Sequence, residues 1–227
     1  MQFKPDLVNA LATLAFSLLL AATAACPSIG HAKAGTSGAS AADMLTADTR
    51  HVHQWVLDSG DHRQRPFAVV DKRAARIFVF DAEGQLLGTT PVLLGQGLGD
   101  HSVPGVADIA DLNRIPVADR TTPAGRFASQ PGRNLRGEAI VWFDYAAALA
   151  IHRLRPGSSE AGRLARLDTA SPDDNRASLG CVVVPPAFFD EVVAPSLGRQ
   201  RGVVYVLPEQ QPVQAIFGVN PTVAGGR

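Results

Sequence analysis

Hydrophobic and polar positions divide the chain into three stretches of different character. In the first, Leu7 to Ala25 is apolar apart from Asn9, Thr13, Ser17 and Thr23, with Leu18, Leu19 and Leu20 in the middle. Lys4 precedes the run and Ala32-Lys33-Ala34 follows it. A basic start, an apolar centre and a small-residue A-x-A site make an export signal, so residues 1–34 are expected to be a signal peptide cleaved after Ala34. The run is also close to the length of a membrane span, which leaves an uncleaved anchor as the alternative. Lipidation at Cys26 is a third reading, although Thr23 stands where an aliphatic residue would precede a lipidated cysteine.

The second stretch, residues 35–62, reads as a small-residue linker and a short helix. From Asp43 to Asp58, Met44, Leu45, Val52, Trp55 and Val56 recur at helical intervals, with Asp43 available as a cap. His51 and His53 are two apart and point to different sides of such a helix, so they and His62 are expected on a solvated face and not around a metal.

The third stretch, residues 63–208, is patterned as strands. Phe67 to Val70 and Ile77 to Phe80 are short β-rich runs, and Asp81-Ala82-Glu83-Gly84 makes a hairpin turn into Gln85 to Leu94. Gly95 to Arg120 carries Gly95, Gly97 and Gly99 without the last glycine or the lysine of a phosphate loop, and a mobile surface loop is expected. Strand signals return at Ala139 to Phe143, Ala148 to His152, Ala177 to Val184 and Val203 to Leu207. Arg153 to Arg176 is a polar, Arg-rich interruption. Pro185 and Pro186 open a short helix through Phe188, Val192 and Val193. The pattern predicts a mainly β fold, a mixed β-sandwich or open barrel with a few short helices, followed by a flexible tail over 209–227.

Composition narrows the function. With 21 Lys+Arg against 21 Asp+Glu the chain has no net charge, which argues against a nucleic-acid partner. Two cysteines are too few for a disulfide scaffold or a structural zinc site. Loss of the signal removes Cys26 and leaves one thiol, Cys181, in a compartment where cysteines usually pair.

That thiol lies in Ser178-Leu179-Gly180-Cys181-Val182, and His152 ends an earlier apolar run. A free thiol, with a pKa of about 8.5, needs a base to make it nucleophilic at neutral pH. A neighbouring glycine lets the backbone turn its N–H groups toward a developing oxyanion. Histidine, glycine and cysteine supply a base, an anion site and a nucleophile.

His152 followed by Ser178-x-Gly180-Cys181 resembles the signature of the L,D-transpeptidase (YkuD-type) catalytic domain. Thr122-Pro123-Ala124-Gly125-Arg126-Phe127 is similar to the T-P-x-G-x-F element that precedes it there, and the resemblance runs from about Pro66 to Leu207. It implies the fold of that family and an exported enzyme, periplasmic or otherwise in the cell envelope, acting on peptidoglycan stem peptides. Cys181 would attack the diaminopimelate carbonyl, release D-alanine and hold the stem as a thioester. His152 would be the general base, Gly180 and Cys181 would offer N–H groups to the oxyanion, and Ser178 would steady the imidazole or the turn. An amine would resolve the thioester; with water as acceptor the same site would be a carboxypeptidase or hydrolase. A non-catalytic envelope-binding relative is the reading of a different class.

The chain departs from the family pattern in three places. Leu179 stands where many members have histidine, Val183 where Asn or Arg is usual, and 29 positions separate His152 from Cys181, a longer gap than the common form. The extra length is expected to form a loop over the cleft. Arg153 and Arg176 are candidates to hold a stem carboxylate, against a surface ion pair with a neighbour such as Asp173 or Asp174, and Trp142 is a candidate to line the cleft, against packing in the core or an edge strand. A sortase-like enzyme, with Arg199 or Arg201 after the cysteine, fits less well because T-P-x-G-x-F has no place in it. No cofactor and no metal is expected.

Overall fold

In the computed structural model, residues 45–106, 114–157 and 159–218 are described, and they belong to one compact unit, Ala39–Arg227. The expected signal peptide, Cys26 and residues 219–227 lie outside the described residues.

The chain begins with α1 (Ala47–Ser59), then β1 (Phe67–Asp71), β2 (Arg76–Phe80), β3 (Leu86–Pro91) and the two-residue β4 (Leu94–Gly95). β5 (Gly125–Arg133), β6 (Ala139–Asp144) and β7 (Leu149–Arg153) follow, then α2 (Glu160–Asp168), β8 (Arg176–Ser178) and β9 (Val182–Val184). A helical turn, α3 (Pro186–Phe188), runs on through a wider π-helical turn at Phe189–Val193; β10 (Gly202–Val206) and α4 (Gln214–Phe217) end the unit.

Eight strands form one mixed sheet in the order β3-β2-β1-β10-β5-β6-β7-β9, with β4 and β8 as a separate parallel pair. The β1–β10 and β7–β9 neighbours are parallel and the other pairs antiparallel. β5 belongs to both halves of the sheet: Gly125 to Ser129 pair with β10, and Gln130 to Arg133 pair with β6. The sheet also meets itself. Just beyond edge strand β3, Leu93 exchanges two 2.9 Å backbone hydrogen bonds with Val183 on the opposite edge strand, β9. The fold is therefore mainly β, of the open-barrel kind expected, with a few short helices.

Strands β1, β2 and β10 are buried on both faces, which is why they read as unbroken apolar runs. One face of each, with Ala68, Val70, Ile77, Val79, Val204 and Val206, joins Ile151, Val182 and Val184 in the main core. The other, with Phe67, Val69, Phe78, Phe80, Val203 and Tyr205, packs on Val52 and Val56 of α1 and on Val213 and Phe217.

Several expectations need correction here. The helix cap is Thr46, whose Oγ1 accepts from the Thr49 N–H at 3.1 Å, and not Asp43, which lies outside the described residues. The helix is no appendage to residues 63–208, because its buried face completes the second core layer. His51, His53 and His62 do not sit on a solvated face. Each ring's Nε2 donates to a different carbonyl (Gly218, Gly84 and Ala82), and His53 stacks on Phe80 at 4.5 Å. Among the described residues no three His, Cys, Asp or Glu side chains are grouped to hold a metal ion. The tail expected to be flexible over 209–227 is packed as far as residue 218, since Val213 and Phe217 are buried. Gly95 is not in a mobile loop: a Cβ there would collide with the Arg120 carbonyl, and only glycine admits that approach. β5 gave no strand signal because Gly125, Pro131, Gly132 and two arginines dilute its pattern; pairing on both sides makes it a strand.

Candidate active site

The site is built on the parallel pair β7–β9, where Ile151 faces Val182 and His152 faces Val183 in register. Partners in register point to the same side, and alternate residues along a strand share a face. Ile151, Val182 and Val184 turn into the main core, so His152 and Val183 turn the other way, while Cys181, just before β9, packs at the margin of that core. On that side lies a cavity of about 540 Å³ whose lining includes both Cys181 and His152.

The turn between β8 and β9 presents the thiol. Ser178 Oγ donates to the Cys181 carbonyl at 2.7 Å and accepts from the Gly180 N–H at 3.1 Å, closing the turn on itself. Ser178 thus steadies the turn and not the imidazole. The same bond commits the Gly180 N–H, which corrects its expected role as an oxyanion donor. Gly180 has φ 126°, and a Cβ there would lie 2.5 Å from the Thr121 carbonyl oxygen. Behind the turn, the fully buried Thr122 hydroxyl donates to the Gly180 carbonyl at 2.9 Å and accepts from the Gly95 N–H at 2.9 Å. The Thr122 carbonyl in turn accepts from Lys72, a buried ammonium that also donates to the Gly99 carbonyl (2.6 Å) and to Asp100 (2.8 Å). Thr122, the first residue of the T-P-x-G-x-F stretch, therefore braces the thiol's turn from below.

The thiol and the imidazole are both uncharged at neutral pH. Burial pushes the His152 imidazole down to about 4, with the Arg153 carbonyl opposing and the cations of Arg155 and Arg163 adding to the fall. His152 Nδ1 lies 2.8 Å from the Arg153 carbonyl oxygen. A carbonyl only accepts, so the proton is on Nδ1 and the Nε2 lone pair is the basic one. Burial likewise pushes the Cys181 thiol up, against the opposing effects of the Ala150 N–H and Arg155. Among the described residues the thiol and imidazole are not hydrogen-bonded to each other; Sγ approaches the Ala148 carbonyl at 3.9 Å.

Trp142 lines the cavity as expected, with Tyr145 set edge-on at 5.3 Å. The two arginines expected to hold substrate do not line this cavity. Arg153 pairs with Asp190 and lies 4.4 Å over the Phe189 ring. Arg176 pairs with Glu209 and borders a separate cavity beside Lys72. In their place the cavity receives Arg155 and Arg163, which the sequence reading passed over. The signal was present: Leu164 and Leu167 give the Arg-rich stretch a helical face. That face packs α2 on Val183 and Leu93, so the insertion covers the cleft as a helix and not as a loop. Val183 is thus an anchor for this cover where a polar residue was missed from the pattern.

No protein-family model and no curated protein matches the sequence. Solved structures similar to the chain include the catalytic domain of an Enterococcus faecium L,D-transpeptidase, at 16% identity, covering 63% of this chain and 98% of that one, with a TM-score of 0.34. The Ldtfm–avibactam carbamoyl enzyme is similar at 18% identity and TM-score 0.37, over 63% of this chain and 49% of that one, about half its length. The helical cell shape determining protein Pgp2 from Campylobacter jejuni is similar at 12% identity and TM-score 0.41, over 74% of this chain and 60% of that one. Similarities of this depth carry no activity and no site residue over to this chain.

Proposed function

We propose that the protein is an exported cysteine acyltransferase of the L,D-transpeptidase type that works on peptidoglycan stem tetrapeptides in the periplasm. The observation that supports this reading is the single cavity lined by both His152 of β7 and Cys181 at the head of β9. His152 Nε2 takes the thiol proton as Sγ attacks the diaminopimelate carbonyl. The oxyanion rests on the Cys181 N–H, since that of Gly180 is bound to Ser178. Collapse of the tetrahedral intermediate breaks the bond to D-alanine, whose amine takes the proton back from His152, and leaves a thioester on Cys181. An amine from a second stem or another envelope molecule then attacks the thioester, with His152 again as base, and releases the thiol.

Intact-mass measurement after incubation with stem tetrapeptides and with a carbapenem tests the reading. The expected result is a carbapenem adduct and cross-linked dimers with the wild type, and neither with Cys181→Ser, whose circular dichroism and melting curve stay those of the wild type. D-Alanine release without dimers would make the enzyme a carboxypeptidase. Absence of both adduct and turnover would leave a non-catalytic envelope-binding relative.

A further inference from the structure

The cavity that contains Cys181 and His152 is walled mainly by apolar groups, yet it also receives two guanidinium groups, Arg155 and Arg163. Arg163 is not neutralised as the neighbouring arginines are. Arg153 has Asp190 and Arg176 has Glu209, whereas no carboxylate among the described residues pairs with Arg163. Its Nε is buried without a hydrogen-bond partner, a costly state for a charged donor. Arg155 is held from behind: its Nε lies 3.2 Å from Glu138, whose carboxylate is fixed by Asn134 at 2.5 Å. Among the described residues the terminal amines of Arg155 meet no acceptor.

Arg163 is also held in place. It projects from α2, and the adjacent Leu164 and Leu167 clamp that helix onto Val183, two residues beyond the nucleophile. An unpaired cation fixed by packing over an apolar cavity is preorganised for an anion, and a planar guanidinium matches a carboxylate by two parallel hydrogen bonds. Low surrounding polarity strengthens that pairing.

We propose that Arg163, with Arg155 beside it, forms a carboxylate-binding subsite of the Cys181 cavity that selects an acyl donor carrying a free carboxylate over its amidated counterpart. The subsite takes the role expected of Arg153 and Arg176, and its choice of donor rests on the stem-peptide reading above. Both cations are close enough to lower the His152 pKa, which is in keeping with a position beside the reacting atoms.

The test has two arms. In a Cys181→Ala background, calorimetry compares a stem tetrapeptide whose diaminopimelate side-chain carboxyl is free with the same peptide as the carboxamide. The acid is expected to bind about tenfold more tightly, the size of one charge-assisted pair. Arg163→Gln should bring the ratio near one with an unchanged melting temperature, and Arg163→Lys should leave an intermediate ratio. In the second arm, alkylation of Cys181 in the otherwise intact protein by iodoacetate is compared with that by neutral iodoacetamide. Arg163→Gln should lower the iodoacetate-to-iodoacetamide rate ratio several-fold. If peptides bind and acylate Cys181 but both ratios ignore Arg163, the subsite is overturned and the acyltransferase stands. If no stem peptide binds while the alkylation ratio still depends on Arg163, the anion subsite stands and the stem-peptide reading falls. Indifference to Arg163 in both arms overturns the inference.

Discussion

His152 and Cys181 wait as a neutral pair, and the imidazole's low pKa has a consequence for stability as well as for chemistry. An unfolded histidine titrates near 6.5, while burial holds the folded ring at about 4. Between those values the unfolded chain binds the proton and the native one does not, so stability falls as pH drops from about 6.5 toward 4 and is unaffected above that window. The expected loss is up to about 3 kcal/mol. Urea unfolding at pH 7 and pH 4.5 should show it in the wild type, and His152→Gln should remove that part of the slope. A slope unchanged by the substitution would mean that the ring is solvated in the folded protein. At this scale the sequence was informative about chemistry and poor about partners. A lone thiol after export and a histidine at the end of an apolar run could be read directly. Which arginine meets which carboxylate could not, because Glu209 reaches Arg176 and Asp190 reaches Arg153 only once distant segments are folded together.

At the scale of elements, the turn from β8 to β9 is the most constrained piece of the site. Gly180 combines a φ of 126° with contacts that leave no room for a side chain: a Cβ would sit 2.5 Å from the Thr121 carbonyl oxygen and 2.8 Å from Leu149 Cδ2. Gly180→Ala therefore has to move the turn, at a cost of about 1–3 kcal/mol. Because Ser178 and Thr122 both hold this turn, the displacement reaches the thiol. Loss of the carbapenem adduct in a protein that still melts cooperatively is the expected result, and unchanged adduct formation would show that the turn yields without cost. Legibility at this scale followed burial. The runs buried on both faces were evident in the sequence, whereas β5, assembled by pairing on either side, and α2, obscured by arginines, were not.

At the scale of the whole molecule, the second core layer joins the two ends of the described chain. Phe217, from a segment that looked like a polar tail, packs with Trp55 at 5.8 Å and Tyr205 at 5.9 Å between ring centres. Truncation of a buried aromatic costs about 3–5 kcal/mol, so Phe217→Ala should lower stability by about that much in a urea titration without changing the reactivity of Cys181. A drop within experimental error would mean that α4 adds nothing to the core. The tail was misread because its apolar positions are few: Val213, Ile216 and Phe217 are meaningful only beside α1.

The position of β10 bears on how the molecule is made. It lies in the middle of the sheet, parallel to β1 on one side and antiparallel to β5 on the other, yet it is the last strand among the described residues. Nearly the whole domain separates Phe67 from its partner Val203. Ordering so long a loop before its contacts form is slow, and the two halves of the sheet have no shared centre until the final strand arrives. A growing chain that ends before Gly202 can therefore shape its hairpins and bring their far edges together at Leu93 and Val183, but cannot pair β1 and β5 through the centre of the sheet. Assembly of the frame that carries Cys181 and His152 therefore waits for Gly202 to Val206 to be made.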